Sequence, residues 1–188
     1  MDFKKEALKL LEENISNKNL IKHNLAASAL MKGLAKYFNK EDEIDLWEIA
    51  GLVHDLDWEK TQNNPQKHAL VAAEILKAKG FPKEVVEAVR KHNYLAAVEP
   101  PETLMEKALY YGEEMTGLVI AAALVLPSKK LSDLTPQTII NRFKEKSFAR
   151  GVDRELLLKS SEELGISLEK LAEIALESMK EISDDLGL

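Results

Sequence analysis

Trp47-Glu-Ile-Ala-Gly-Leu-Val-His-Asp55 is the stretch that decides the fold. Ile44, Trp47, Ala50 and Val53 recur three residues apart, a helical stripe that runs directly into the dipeptide His54-Asp55. An imidazole and a carboxylate therefore end an apolar helix, where both would point inward. The same periodicity extends in both directions along the chain.

Upstream, Phe3, Ala7, Leu10, Leu11 and Ile15 share one helical face, and Leu20, Ala27, Leu30 and Leu34 share another in a segment that carries His23. Downstream, a loop is expected from Asp57 to Asn64. Pro65 suits the first turn of a following helix, with His68, Val71, Ala72 and Ile75 on its face and Gly80 at its end. Pro82 opens another, on which Val85, Val89 and His92 stack at spacings of four and three. Pro100-Pro101 breaks the chain. A long helix from about Glu102 to Leu126 comes next, apolar nearly all round from Leu118 and so expected at the centre. Pro127 stops it, Thr135-Pro136 and Asp153 begin two further helices, and Ser167 caps the last. No alternating strand, repeat or low-complexity segment interrupts this pattern. The expected fold is an all-α helical bundle, one domain over 1–188 with a core at about 20–126 and a C-terminal helical extension at about 127–188. The part after Pro127 fits either a second lobe or a wrap on the first.

With 188 residues, the chain is long enough for a substantial core; it is 45% hydrophobic and 31% charged, as expected of a soluble globular protein. Its most apolar stretch, Gly117 to Leu126, is too short to span a bilayer. The start, Met1-Asp-Phe-Lys-Lys-Glu, lacks an apolar signal core. The absence of cysteine rules out disulfides and fits a reducing, cytoplasmic location. A net charge of −6 argues against a general nucleic-acid binder. That charge is uneven: Lys129 to Arg154 holds seven Lys/Arg against three Asp/Glu, a local +4 that leaves −10 elsewhere. Two readings fit the basic segment, a solvated helix face or a phosphate-binding edge.

The only four histidines, His23, His54, His68 and His92, all fall in the first half, in helix-like segments. Without any thiolate, they and Asp55 form a nitrogen/oxygen ligand set suited to borderline and hard divalent metals. Adjacent helical residues differ by about 100°, so His54 and Asp55 can bracket one ion while His23 approaches from a neighbouring helix.

His23, then His54-Asp55, then an acid on a later helix resembles the HD-domain superfamily of metal-dependent phosphohydrolases, named for that dipeptide. The runs Glu114-Met-Thr-Gly117, Leu126-Pro-Ser-Lys129 and Phe148-Ala-Arg-Gly-Val152 are similar to those of uncharacterised prokaryotic HDIG-type hydrolases. The resemblance implies a first metal on His23, His54, Asp55 and Glu113. It implies a second on Asp55, His68 and His92, as in the binuclear branch; Asp55, His68 and His92 would then be the catalytic centre. The superfamily's closing acid is usually aspartate, so Glu113 departs from the pattern, and Glu114 is its rival. His68 and His92 also suit contact with substrate. One or two divalent ions (Mn, Mg, Ni, Zn or Fe) would activate water against a small phosphate ester or nucleotide-like substrate. Lys60, Lys129, Lys146 and Arg150 are candidates to orient the phosphate, as is Arg90, whereas Asp57 and Glu59 read as solvated loop acids. Trp47 reads as core and Trp58 as loop packing. Two alternatives accompany this reading: a di-iron oxygenase of the same superfamily, and a degenerate, non-catalytic metal- or ligand-binding module.

Overall fold

A computed structural model describes residues 2–93, 95–96 and 98–188. Among them it is all-helical, with no strand. The helices are α1 (Phe3–Asn14), α2 (Lys18–Tyr37), α3 (Ile44–Val53), the single turn α4 (Trp58–Thr61), α5 (Leu70–Ala78), α6 (Lys83–Lys91), α7 (Leu104–Gly112) and α8 (Glu114–Leu124). The C-terminal part adds α9 (Pro136–Lys144), α10 (Arg154–Leu164), α11 (Leu168–Lys180) and the short α12 (Ser183–Leu186). Among the described residues, no helix is long and apolar enough to cross a membrane.

The helix boundaries follow local chemistry. Asp2, Asn17, Thr103, Thr135, Asp153 and Ser167 each accept a hydrogen bond from a backbone N–H of the first turn they precede. Thr103 and Glu106 form a reciprocal capping box, and buried Lys91 pairs with the same Glu106 at 3.0 Å, tying α6 to α7. Gly80 and Gly165 end α5 and α10 in left-handed backbone.

The central helix is α2, which touches α3, α7, α8, α11 and α12. The segment from Glu102 to Leu126, expected at the centre, is instead two helices meeting at Glu113. The outer turn is not covered: Leu124 and Val125 are 50% and 54% exposed. The C-terminal helices lie along the earlier ones, α11 on α2 and α8, and α10 on α7.

The tightest crossing is between α2 and α3. Ser28 donates to the Glu48 carbonyl at 2.9 Å, and Gly51 lies against the α2 backbone. A Cβ at Gly51 would stand 2.5 Å from the Ala27 carbonyl oxygen and 2.8 Å from the Ser28 nitrogen, both immovable without shifting a helix. This crossing brings His23 of α2 beside His54 at the end of α3. Gly51→Ala is therefore expected to cost about 1–3 kcal/mol through overpacking and to separate the two imidazoles. Lower thermal stability together with lower bound metal is the expected result; unchanged melting and metal content would refute this role for the crossing.

Candidate metal centre

Four imidazoles and two carboxylates converge where α2, α3, α6 and the α7–α8 junction meet. His23 comes from within α2, His54 and Asp55 follow α3, His92 ends α6, and Glu113 stands at the α7–α8 junction. His68 is not on a helix, contrary to the sequence reading. Pro65–Lys67 forms a 3-10 turn, and Ala69 adopts φ 71° before α5 begins at Leu70. A left-handed alanine is costly, and this one turns the chain so that His68 faces the cluster.

Distances define the convergence. His23 Nε2 is 3.1 Å from His54 Nε2, and His68 Nε2 is 3.1 Å from His92 Nε2. Asp55 lies between the pairs: Oδ1 is 3.1 Å from His68 Nε2 and 3.6 Å from the Nε2 atoms of His54 and His92, while Oδ2 is 3.4 Å from His23 Nε2. Glu113 Oε2 is 3.6 Å from His23 Nε2. Two groups, His23/His54/Glu113 and His54/Asp55/His92, each have donor atoms within 4.8 Å of one another.

The outer ring nitrogens explain why the inner ones converge. His54 Nδ1 donates to the Gly51 carbonyl at 2.8 Å and His92 Nδ1 to the Val89 carbonyl at 2.6 Å. His68 Nδ1 donates to Asp57 Oδ1 at 2.8 Å. Because those oxygens only accept, each Nδ1 carries its hydrogen, and the neutral ring presents a bare lone pair on Nε2. Two bare nitrogens 3.1 Å apart, as in the His68/His92 pair, repel, so a proton or a cation must lie between them.

The cluster fits a divalent ion. With metal–nitrogen bonds of about 2.0–2.1 Å, two ligands lie about 2.8–3.4 Å apart at right-angled to tetrahedral geometry, close to the spacings here. Glu113 Oε2 is buried with no hydrogen-bond partner, an arrangement that is costly unless a cation or proton meets it. The glutamate in place of aspartate thus still reaches the cluster. Glu114 also lines the cavity, and its Oε2 accepts from the Asp153 backbone N–H at 3.1 Å.

Charge states follow from burial and neighbours. Burial pushes His54 down to about 3, against the pull of Asp55, and so keeps the ring neutral. Burial works against the Asp55 carboxylate, but the surrounding imidazoles of His54, His68, His92 and His23 outweigh it and hold its pKa well below the usual range. For His68, burial is likewise overcome, by Asp55 and Asp57, which raise it to about 9. Burial, then repulsion from Asp55, lifts Glu113 to about 8; burial, then repulsion from Glu113, lifts Glu114 to about 7.

Asp57 corrects the sequence reading. It is a fully buried residue rather than a solvated loop acid, and it accepts from His68 Nδ1, from the Ala69 N–H at 3.3 Å and from the Ala72 N–H at 2.8 Å. It orients His68, satisfies the exposed first turn of α5, and gains from that helix's dipole. Its apolar neighbours Leu56 and Trp58 were the available signal. Asn93, overlooked in the sequence, donates to the carbonyls of Pro65 and His68 and accepts from the Leu95 N–H, which fixes the turn around His68. Glu59 is half-buried and caps the α1–α2 turn through Ser16 and Asn17.

A cavity of about 620 Å³ opens directly over the cluster, with His23, Asp55, His68, His92 and Glu113 in its wall. Lys60, Lys129, Lys146 and Arg150 do not line it. Lys60 is held by Asn14 Oδ1, Arg90 by Glu87 and Glu99, while Lys129, Lys146 and Arg150 are exposed. Trp47 is core, whereas Trp58 stands edge-on to His68, ring centres 4.9 Å apart, at the cavity.

Comparison with known families matches the HD domain over residues 20–125, more than half of the chain. The chain belongs to the HD-domain family. The family is one of metal-dependent hydrolases, mostly phosphohydrolases, and the match is to the HD domain as a whole rather than to a subgroup. No curated protein and no solved structure matches the chain. The HD-matched span contains all four histidines, Asp55 and Glu113.

Two outcomes are expected. Asp57→Asn keeps the shape but removes the charge behind His68, and should weaken metal binding about 10–100-fold, read by competition with a chromophoric chelator. Unchanged affinity would remove Asp57 from the centre. Metal binding should also release protons. Below about 8 and 9, Glu113 and His68 are protonated in the metal-free chain and must lose those protons to ligate. Affinity should therefore rise with pH up to that range and level off above it. Calorimetry in buffers of different ionisation enthalpy would detect the release; an affinity independent of pH between 6 and 9 would contradict this assignment.

Proposed function

We propose that this HD domain is a metal-dependent phosphohydrolase acting on a small phosphate ester in the cavity above the histidine cluster. The observation that carries the reading is the convergence of Nε2 atoms and of Glu113 Oε2, which no hydrogen bond satisfies, on the floor of that cavity. His23, His54, Asp55 and Glu113 would hold one divalent ion and Asp55, His68 and His92 a second. Manganese, magnesium, nickel, zinc or iron there would supply Lewis acidity, water of lowered pKa and neutralisation of phosphate charge.

The chain's own residues do the rest. Asp55 stands between the two histidine pairs, so one carboxylate can serve both positions. The carbonyls of Gly51 and Val89 and the carboxylate of Asp57 hold three rings with Nε2 inward, so no reorientation is needed when a ligand arrives. Glu114, beside the cluster and raised to about 7, suits proton exchange with a leaving group near neutral pH. Residues 1–188 would then act as one functional domain, since Gly151 and Val152 line the same cavity as His23 and Asp55.

The test starts from chelator-stripped protein reloaded with each ion in turn. Phosphate release from a panel of phosphate monoesters should require metal. It should be lost in Asp55→Ala, whose circular dichroism should remain helical while elemental analysis shows depleted metal. Equal phosphate release from the Asp55→Ala variant, or from stripped protein in excess chelator, would overturn the reading.

A further inference from the structure

We propose that the substrate is a phosphate monoester with a compact apolar body, not a polyphosphate, and that residues after the HD-matched span select that body. The inference rests on the hydrolytic reading above and concerns the part of the cavity away from the histidines.

Among the described residues, the cavity wall contains no lysine, arginine, serine or threonine, and its one hydroxyl-bearing side chain is Tyr110. Sites that hold two or three linked phosphates supply cationic forks, hydroxyls or backbone nests to each one. Beyond the cluster's own carboxylates, the one further acid in this wall is Glu114, which offers no positive charge to a second phosphate. Asn93 is fully committed to the Pro65 and His68 carbonyls and the Leu95 N–H, so its amide has no hydrogen left for a polar ligand.

Apart from Asn93, Tyr110 and Glu114, what the outer wall offers is apolar. Leu20, Leu95, Ala121, Val152 and Leu156 face the space, with Trp58 beside His68. Leu95 and Trp58 are 48% and 41% exposed, two large apolar side chains left to solvent where a ligand would cover them. The volume of about 620 Å³ exceeds what a bare phosphate needs and falls within the range of small-molecule sites.

Part of this wall lies beyond residue 125, where the HD match ends: Ala149, Gly151, Val152 and Leu156. Arg154 holds the segment in shape. Its guanidinium donates to the carbonyls of Phe143, Glu145, Phe148, Ala149 and Val152, and the Asp153 N–H reaches back to Glu114. A cation that charge counting would assign to a phosphate is thus spent on shaping the apolar wall. Hydrolysis of such an ester transfers the phosphoryl group to water: a phosphorus–oxygen bond to water forms, the ester bond breaks, and the apolar alcohol leaves with a proton.

The experiment uses the full chain loaded with manganese. Phenyl phosphate and hexyl phosphate should be hydrolysed with a kcat/KM at least about 100-fold above that of nucleoside triphosphates, the scale at which unmatched polar groups are rejected. Calorimetry should show phenylphosphonate binding more tightly than methylenediphosphonate. Leu95→Asn, at an exposed position, and Val152→Asn should each lower the phenyl phosphate to glycerol phosphate ratio of kcat/KM. Equal or better use of triphosphates, tighter binding of methylenediphosphonate, or an unchanged ratio in both variants would overturn the inference. Tight phenylphosphonate binding without hydrolysis of any ester would support the cavity's selectivity while refuting the hydrolytic reading.

Discussion

Two pairs of imidazole nitrogens 3.1 Å apart, facing one carboxylate in a largely buried pocket, form the constraint on which the rest of the structure turns. Such contacts hold only with a hydrogen or a metal ion between the nitrogens. Each ring is aimed by an oxygen behind it or by the helix it sits on. The fold can be understood as the scaffold that keeps those rings from turning away. The α2–α3 crossing at Gly51 sets the first pair; the bound turn through Ala69, Asp57 and Asn93 sets the second.

That scaffold divides into two kinds of support. Helix packing fixes His23, His54 and Glu113, whose positions follow from apolar stripes. Hydrogen bonding fixes His68, which lies outside any helix and depends on a buried carboxylate and a buried amide. Removing one partner from the second kind leaves another polar group buried and unmatched, which costs more than the net worth of the bond. The centre is therefore more sensitive to Asp57 and Asn93 than their distance from any ligand atom suggests.

The histidines and Asp55 were legible in the sequence because they are few and follow apolar helical stripes, and the all-helical class followed from the same periodicity. Several features were not. The left-handed residue after His68 is an alanine, so no glycine or asparagine marked the turn, and a helix was expected from Pro65 onward. Asp57 lies in what the sequence marks as a loop, and only the chain returning through Ala69 and Ala72 buries it. The basic segment read as either solvated or phosphate-binding, but Arg154 serves backbone carbonyls and Arg142 pairs with Glu145. Charge counting cannot separate these uses, because each depends on which acceptors the fold brings near.

The most direct measurement is anomalous scattering from crystals grown with manganese, recorded on both sides of its absorption edge. The account predicts peaks flanking Asp55 within bonding distance of the histidine Nε2 atoms, one beside His23, His54 and Glu113 and one beside His68 and His92. A single peak at the first position would remove the second ion and leave His68 and His92 to contact substrate. No peak at either position in metal-replete crystals, with the Nε2 pairs still in contact, would contradict the central claim.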